Sequence, residues 1–399
     1  MLSISAKPYI DASVPVLRQH GLAITTLFYK NMFESHPELM NLFNMGNQAN
    51  GSQQQSLAAA VFAYAANIDN TEALKPVIER IVHKHVSVGI KPENYPIVGK
   101  HLIGAIKSVL GDAATPELIS AWEEAYGLLA EALITTEAEL YKQNNQEPDE
   151  WIKLKVIEKS HHSDNVVSFT LHADNQTQLP EFKPGQYISV AVHIEDLNLR
   201  QIRQYSLSDS PQKNTYRITV KRENGDEFKP RGNVSNWLHQ HARVGSTINV
   251  SFPSGNFTPD IQDQRPIALI SAGVGITPMI SIVNDIAIKN PGRKVLFVHA
   301  ARNRESIAHI DEIQNAKKML SNLNAIFFLN ETKKKNLDES EGRMDLTSYI
   351  TPEFKDSMYY ICGPQSFMDD QRDALVEFGV NPVNIHREVF GPESLNHLI

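Results

Sequence analysis

A single cysteine, Cys362, in 399 residues excludes an intrachain disulfide and a cysteine-rich metal site, and it fits a reducing compartment. No run of about 18 uninterrupted apolar residues occurs, so no membrane-spanning helix is expected. The start, Met1 to Pro8, lacks the basic-then-apolar order of a secretion signal, and the expected location is the cytoplasm. Positive charge is not in excess: 38 Lys and Arg stand against 46 Asp and Glu. The resulting net charge of −8 disfavours nucleic acid or an anionic membrane surface as a broad partner. Internal repeats and low-complexity tracts are also missing, and a chain of this length predicts two or three domains.

What is present changes its period twice. Residues 1–147 read as helix throughout. Leu22, Tyr29, Met32 and Phe33 share one helical face, and Trp122, Tyr126, Leu129, Leu133 and Leu140 share another. Pro37, Gly46, Gly51, Pro92, Pro96 and Pro116 are the expected breaks. A polar stretch from Gln143 to Glu150 has linker composition. Over 151–262 short strands follow at 152–156, 166–171, 187–192, 216–220 and 248–252, which predicts an antiparallel barrel or sandwich. Over 265–399 apolar runs at 267–270, 295–298, 325–329 and 358–361 alternate with helical patterns, which predicts a parallel α/β sheet.

Five places carry chemistry. His85 lies on the apolar stripe formed by Ile78, Ile81, Val82 and Val88, whereas His83 points away from it. An imidazole there is a core histidine or an axial ligand to haem iron. Glu137, one turn past Leu133, is a carboxylate on an apolar face, to be paired or to sit in a half-exposed salt bridge. Gly273-Val274-Gly275-Ile276-Thr277-Pro278 follows a strand and opens a helix. Its glycines let the backbone approach a pyrophosphate, and Pro278 suits a first helical turn. Arg203-Gln204-Tyr205-Ser206 combines an arginine for phosphate, a ring for stacking and a hydroxyl. Gly232 to Leu238 reads as a second phosphate-facing turn with Ser235 as N-cap.

In the order "RQYS", "GNVSNWLH", "GVGITP" and "CGP", these motifs resemble the ferredoxin–NADP⁺ reductase superfamily, a flavin barrel followed by a nicotinamide domain. That resemblance implies FAD on Tyr187, Arg203, Gln204, Tyr205 and Ser206, with its pyrophosphate near Val234 and Ser235. It implies NAD(P)H on Gly273, Val274, Gly275, Ile276, Thr277 and Pro278 and near Cys362, Gly363 and Pro364. Val389, Phe390, Gly391 and Pro392 would complete the flavin site, Phe390 lying against the flavin ring. Arg302 and Arg304 are candidates for a 2′-phosphate or for solvated surface, which leaves NADH against NADPH open.

With this reductase downstream, the segments 41–48, 50–65, 83–102 and 121–141 make the whole chain resemble the flavohaemoglobins, a globin joined to the reductase. The implied fold is an all-α globin (1–147), an antiparallel β-barrel FAD domain (151–262) and a Rossmann-like NAD(P) domain (265–399). By the same resemblance His85 is the proximal ligand of a b-type haem, with Tyr95 and Glu137 hydrogen-bonded to it. Tyr29 would donate to the bound gas, Phe43 would wedge the macrocycle, and Gln53 and Leu57 would line the distal side. Lys84 and Glu388 resemble a pair at the haem–flavin contact. The expected activity is conversion of NO and O₂ to nitrate with electrons from NAD(P)H through FAD, by a monomer. Occupation of the distal pocket by a lipid is left open. The rival expectations are an oxygen carrier or sensor with a built-in reductase, and a flavin reductase of quinones, ferric chelates or hydroperoxides.

Overall fold

The computed structural model describes residues 2–173, 178–227, 230–331, 338–346 and 348–392, apart from the Thr71 side chain. Residues 228, 229 and 393–399 of the segments read above lie outside the described residues.

The N-terminal helices are α1 (Lys7–Ser35), α2 (Met45–Ala49), α3 (Ser52–Ala66), α4 (Thr71–Val88), α5 (Asn94–Leu110) and α6 (Pro116–Gln143). Each boundary has a local cause. Asn44 and Asn70 cap α2 and α4 with their side chains, while Thr115 caps α6 and Pro116 occupies its first turn. Gly89, at φ +83°, ends α4 in the left-handed region, where a Cβ would also meet Asp149 Cα at 2.9 Å. Apolar residues seven and four apart, Ile10, Leu17, Ile24, Phe28 and Met32, build the core with Ile106 and Trp122.

Three sequence expectations fail here. Gly46 does not break a helix but lies in the first turn of α2, its amide bonded to Asn44 Oδ1 at 3.0 Å. Pro96 is accommodated in the first turn of α5. Leu22 is 50% exposed, because the buried stripe of α1 runs through Gly21, Ile24, Thr25 and Phe28 instead.

The second unit is one six-stranded antiparallel sheet of order β4-β3-β6-β1-β2-β5. Its strands are β1 (Ile152–Ser163), β2 (Val166–Ala173), β3 (Tyr187–Ile194), β4 (Leu199–Ser206), β5 (Tyr216–Lys221) and β6 (Thr247–Val250). An isolated bridge between Leu207 and Ile218 joins the two outer strands into a barrel, filled by Leu154, Phe169, Ile188 and Ile218. The strand expected to reach 252 stops at Val250, and β4 makes a full strand of the segment that contains Arg203–Ser206. Between β5 and β6 runs α7 (Asn233–His241), whose N-cap is Gly232. Ser235 is thus a first-turn residue and not the cap; its hydroxyl accepts from Glu223 N at 3.2 Å.

The third unit is a parallel sheet of order β10-β9-β8-β7-β11-β12. It comprises β7 (Ile267–Ala272), β8 (Val295–Ala301), β9 (Leu323–Leu329), β10 (Glu339–Glu341), β11 (Met358–Cys362) and β12 (Ile385–Glu388), with helices α8 (Ile276–Lys289), α9 (Ile310–Met319) and α10 (Gln365–Glu377). Successive strands build outward from β7 on one side and then return beside it as β11. That reversal opens a crevice at the carboxyl ends of β7 and β11. No helix among the described residues is long and apolar enough to cross a membrane.

Candidate functional site

α4, α5 and α6 bring His85, Tyr95 and Glu137 together. His85 Nδ1 lies 2.7 Å from Glu137 Oε1 and 3.1 Å from the Tyr95 hydroxyl, and that hydroxyl donates to the same Oε1 at 2.5 Å. Glu137 is only 3% exposed, which rules out the half-exposed salt bridge. Because a carboxylate only accepts, the imidazole proton sits on Nδ1 and leaves the Nε2 lone pair outward. The imidazole keeps 32% of its surface open although its helix is packed, so the ring faces a recess. This donor set fits a haem iron: one neutral nitrogen ligand, oriented by a carboxylate behind it. Burial, reinforced by Glu137, pushes the Tyr95 phenol far above its usual range, so it stays a donor. Tyr126 supports the group by donating to the Tyr95 carbonyl at 2.6 Å, and its ring takes the space that a Cβ on Gly99 would occupy.

On α1, Tyr29 packs against Phe33 and Phe43, with ring centroids 5.8 and 5.7 Å away. Leu57 joins this cluster. Burial raises the Tyr29 hydroxyl to about 12, with the Gln53 and Gln48 amides facing it. Gln48 was missed by sequence reasoning; its amide nitrogen is buried without a partner among the described residues.

α4 also docks on the barrel. Glu79, His83 and Ser87, four apart and thus on one face, meet Asn256 Nδ2 at 3.3 Å, Gly255 N at 3.1 Å and Ser189 Oγ at 3.1 Å. The residue that points away from the apolar stripe is therefore an interface residue, and this polar stripe was the readable signal. Lys84 Nζ donates to the Gly391 carbonyl at 3.4 Å, tying α4 to the turn that holds Val389, Phe390 and Pro392; Glu388 ends β12 just before it.

The barrel face beneath fits a flavin nucleotide. Arg203 spends one donor on the Ile202 carbonyl, and burial lowers its guanidinium to about 10. Its other donors have no partner among the described residues, as an anion site requires. Ser206 Oγ is buried and likewise unpartnered, next to the half-buried ring of Tyr205; Gln204 is anchored on Ser189. Tyr187 is buried beside Glu388, and Val234 and Ser235 lie in the first turn of α7.

At the crevice of the parallel sheet, Gly273 has φ +55° with open space where a side chain would stand. A Cβ on Gly275 would fall 2.2 Å from the Cys362 carbonyl, so the turns 273–278 and 362–364 touch only because Gly275 has no side chain. Ile276, Thr277 and Pro278 open α8, whose N-terminus faces that crevice. This geometry fits a dinucleotide pyrophosphate. Cys362 is wholly buried, and burial pushes its thiol well up, so it is no nucleophile. Arg304 is bonded to the buried carboxylate of Glu339, whereas Arg302 is exposed.

Comparison with known proteins agrees with this geometry. A globin family profile matches residues 26–133, an oxidoreductase FAD-binding domain 153–258, and an oxidoreductase NAD-binding domain 269–373. A flavohemoprotein of Rhizobium meliloti is 47% identical over 98% of this chain and 99% of its own length. One of Bacillus subtilis is 44% identical over 98% of each. The flavohemoglobin of Malassezia yamatoensis, solved with bound FAD and heme, superposes with a TM-score of 0.87 at 32% identity, covering 98% of this chain and all of that one. The FAD/NAD-binding domain of a Vibrio cholerae nitric oxide dioxygenase covers 60% of this chain and 99% of its own, with a TM-score of 0.55 at 33% identity. A helical haem-type recess, a flavin barrel and a nicotinamide crevice in one chain, matched along nearly its whole length, make this protein a member of the flavohemoprotein family.

Proposed function

We propose that the chain is a nitric oxide dioxygenase, acting as a cytoplasmic monomer: two NO, two O₂ and one NAD(P)H give two nitrate, NAD(P)⁺ and a proton. The observation that carries this reading is the His85–Tyr95–Glu137 arrangement. When bound, haem would supply the gas-binding iron and FAD the step from two-electron to one-electron transfer.

The chain's own residues do the rest. His85 offers Nε2 to the iron while Glu137 draws its Nδ1 proton, which makes the imidazole a stronger electron donor than a histidine bonded to a backbone carbonyl. Tyr95 holds the carboxylate in line. An oxygen carrier gains nothing from that push, whereas oxygen chemistry does. Tyr29, kept protonated by burial, would donate a hydrogen bond into the distal recess beside Gln53 and Gln48, while Phe43 and Leu57 would keep water out. Arg203, Ser206 and the first turn of α7 hold the flavin's phosphates and ring. The Gly273 to Pro278 turn and Gly363–Pro364 hold the nicotinamide nucleotide. Lys84 and Glu388, with the polar stripe of α4, keep the haem-bearing helix on the flavin barrel.

The test is a mixture of purified protein, NO, O₂ and NADH, scored for nitrate. One nitrate per NO consumed, at a rate far above buffer, is the expected outcome. Nitrate formation at the buffer rate would overturn the reading.

A further inference from the structure

The seam between the flavin barrel and the nicotinamide sheet is polar, buried and directional. His162 on β1 carries its Nε2 at 2.6 Å from Ser168 Oγ on β2. Ser168 is 2.8 Å from Thr219 Oγ1 on β5, and Thr219 is 2.8 Å from His309 Nε2 at the start of α9. His309 Nδ1 lies 2.6 Å from Glu312 Oε1, and Arg217 on β5 reaches Glu312 Oε2 at 2.8 Å across the same seam. The loop closes because the backbone amide of His309 donates back to His162 Nδ1 at 3.4 Å. The two imidazoles lie against each other, with ring centroids 4.2 Å apart.

The donors and acceptors assign the protons. His162 Nδ1 faces a backbone N–H and must accept, so its one proton is on Nε2 and points to Ser168. Glu312 accepts from His309 Nδ1, which leaves His309 Nε2 to accept from Thr219. A second proton on His162 would set N–H against N–H, beside the His309 ring and Arg217. Among the described residues no side-chain acceptor stands there to receive it.

We infer that His162 is a positioning residue for hydride transfer: it holds the nicotinamide domain on the flavin barrel through a bond chain that closes only while its imidazole is neutral. Acid then loosens the seam and slows reduction of the flavin by NAD(P)H. The charged surroundings favour this. His162 faces His161 on its own strand, Arg217 from β5, His309 and Glu312 from α9, and the neutral Asn284, which bonds Glu312 from α8. Asp209, after β4, is paired with Lys213 and Arg217. Burial, with His309 and Arg217, lowers His162 to about 4 against Glu312 alone. A histidine lowered when folded binds its proton only on opening. Closure is therefore fully favoured above the free value of about 6.5 and lost as pH falls toward the folded one. In that window the opened seam gains about tenfold in population per pH unit.

Hydride transfer moves two electrons and a proton together from the nicotinamide to the flavin, so the reaction itself supplies no acid dependence. The test mixes the oxidised full-length holoprotein with saturating NADH anaerobically, from about pH 7.5 to about pH 5. It reads flavin bleaching, with the haem Soret band as a check on the globin. The wild-type rate falls toward acid, reaching about tenfold per pH unit only where the opened seam outnumbers the closed one. His162→Gln, which still donates to Ser168 but takes no proton, keeps the neutral rate and flattens the profile. His162→Ala lowers the rate at every pH. A flat wild-type profile, or the same acid fall in His162→Gln, overturns the proposal. As a second readout on the wild type, hydrogen-exchange protection of residues 309–313, corrected for intrinsic rates, drops over the same range; unchanged protection also overturns it. No NO or O₂ is present, so this result is independent of the dioxygenase reading.

Discussion

Replacing Glu137 by Gln keeps the shape of the proximal carboxylate and removes its charge. Oε1 accepts two bonds, from His85 at 2.7 Å and from Tyr95 at 2.5 Å, inside a site where Glu137 is 3% exposed. An amide oxygen still accepts both, but as neutral bonds in place of charge-assisted ones, a loss of about 1 kcal/mol each. The new NH₂ is tolerated, because Glu137 also lines a cavity of about 400 Å³ together with Ile90, Tyr141 and Gln146. The lost stabilisation falls mainly on the more positive oxidation state of the iron that His85 would ligate. About 2 kcal/mol in a one-electron couple raises the haem midpoint potential by roughly 90 mV. Spectroelectrochemical titration of wild type and variant measures it directly. NO turnover should fall alongside, while flavin reduction by NADH stays unchanged. A shift under about 20 mV, or a downward one, would refute the electron-push argument, and unaltered NO turnover would favour an oxygen carrier.

Gly99→Ala places a Cβ 2.4 Å from the Tyr126 ring and dislodges the Tyr126–Tyr95 bond. It should lower stability by about 1–3 kcal/mol in thermal or urea unfolding of the holoprotein. Gly275→Ala drives a methyl into the Cys362 carbonyl; NADH-dependent flavin reduction should drop by at least about tenfold with FAD content unaltered. Burial pushes the Asp149 carboxyl up, but Trp151 and Arg200 outweigh it and hold it below the usual range. Its stabilisation of the linker is therefore present above the free value of about 3.9 and lost as pH falls below it. Half-exposed as the pair is, Asp149→Asn should cost about 0.5 kcal/mol in unfolding at neutral pH, a cost that shrinks as pH falls below about 3.9. Arg304→Ala should leave the ratio of kcat/KM for NADH and NADPH within about twofold, since Glu339 already holds that guanidinium.

Short-range signals were legible wherever one residue type suits one backbone need. The Gly273–Pro278 turn, the linker after Gln143 and the apolar stripe under His85 all stood in the sequence, because glycine, proline and period 3.6 act locally. Leu22 was misread because a seven-residue spacing ignores the slow drift of a 29-residue helix across its neighbours. Ser235 was misread because any serine before a helix looks like a cap, and Gly232 took that position when Glu223 crowded it. The polar stripe marked the His83 face, but its counterpart Gly255 and the His162–His309 contact were invisible, since those partners lie on elements far apart in the chain.

The sequence by itself determined three kinds of fold in a fixed order, and which residue types could hold iron, flavin and nicotinamide, because those follow from local backbone preference and side-chain chemistry. Tertiary structure alone decided that Glu137, 52 residues from His85, turns its carboxylate onto Nδ1 rather than into solvent. It also decided that the imidazole keeps its other nitrogen for the recess, and that α4 rests on the barrel through its polar face. Those outcomes depend on how three helices and two sheets pack, and no spacing along the chain encodes a distance across it.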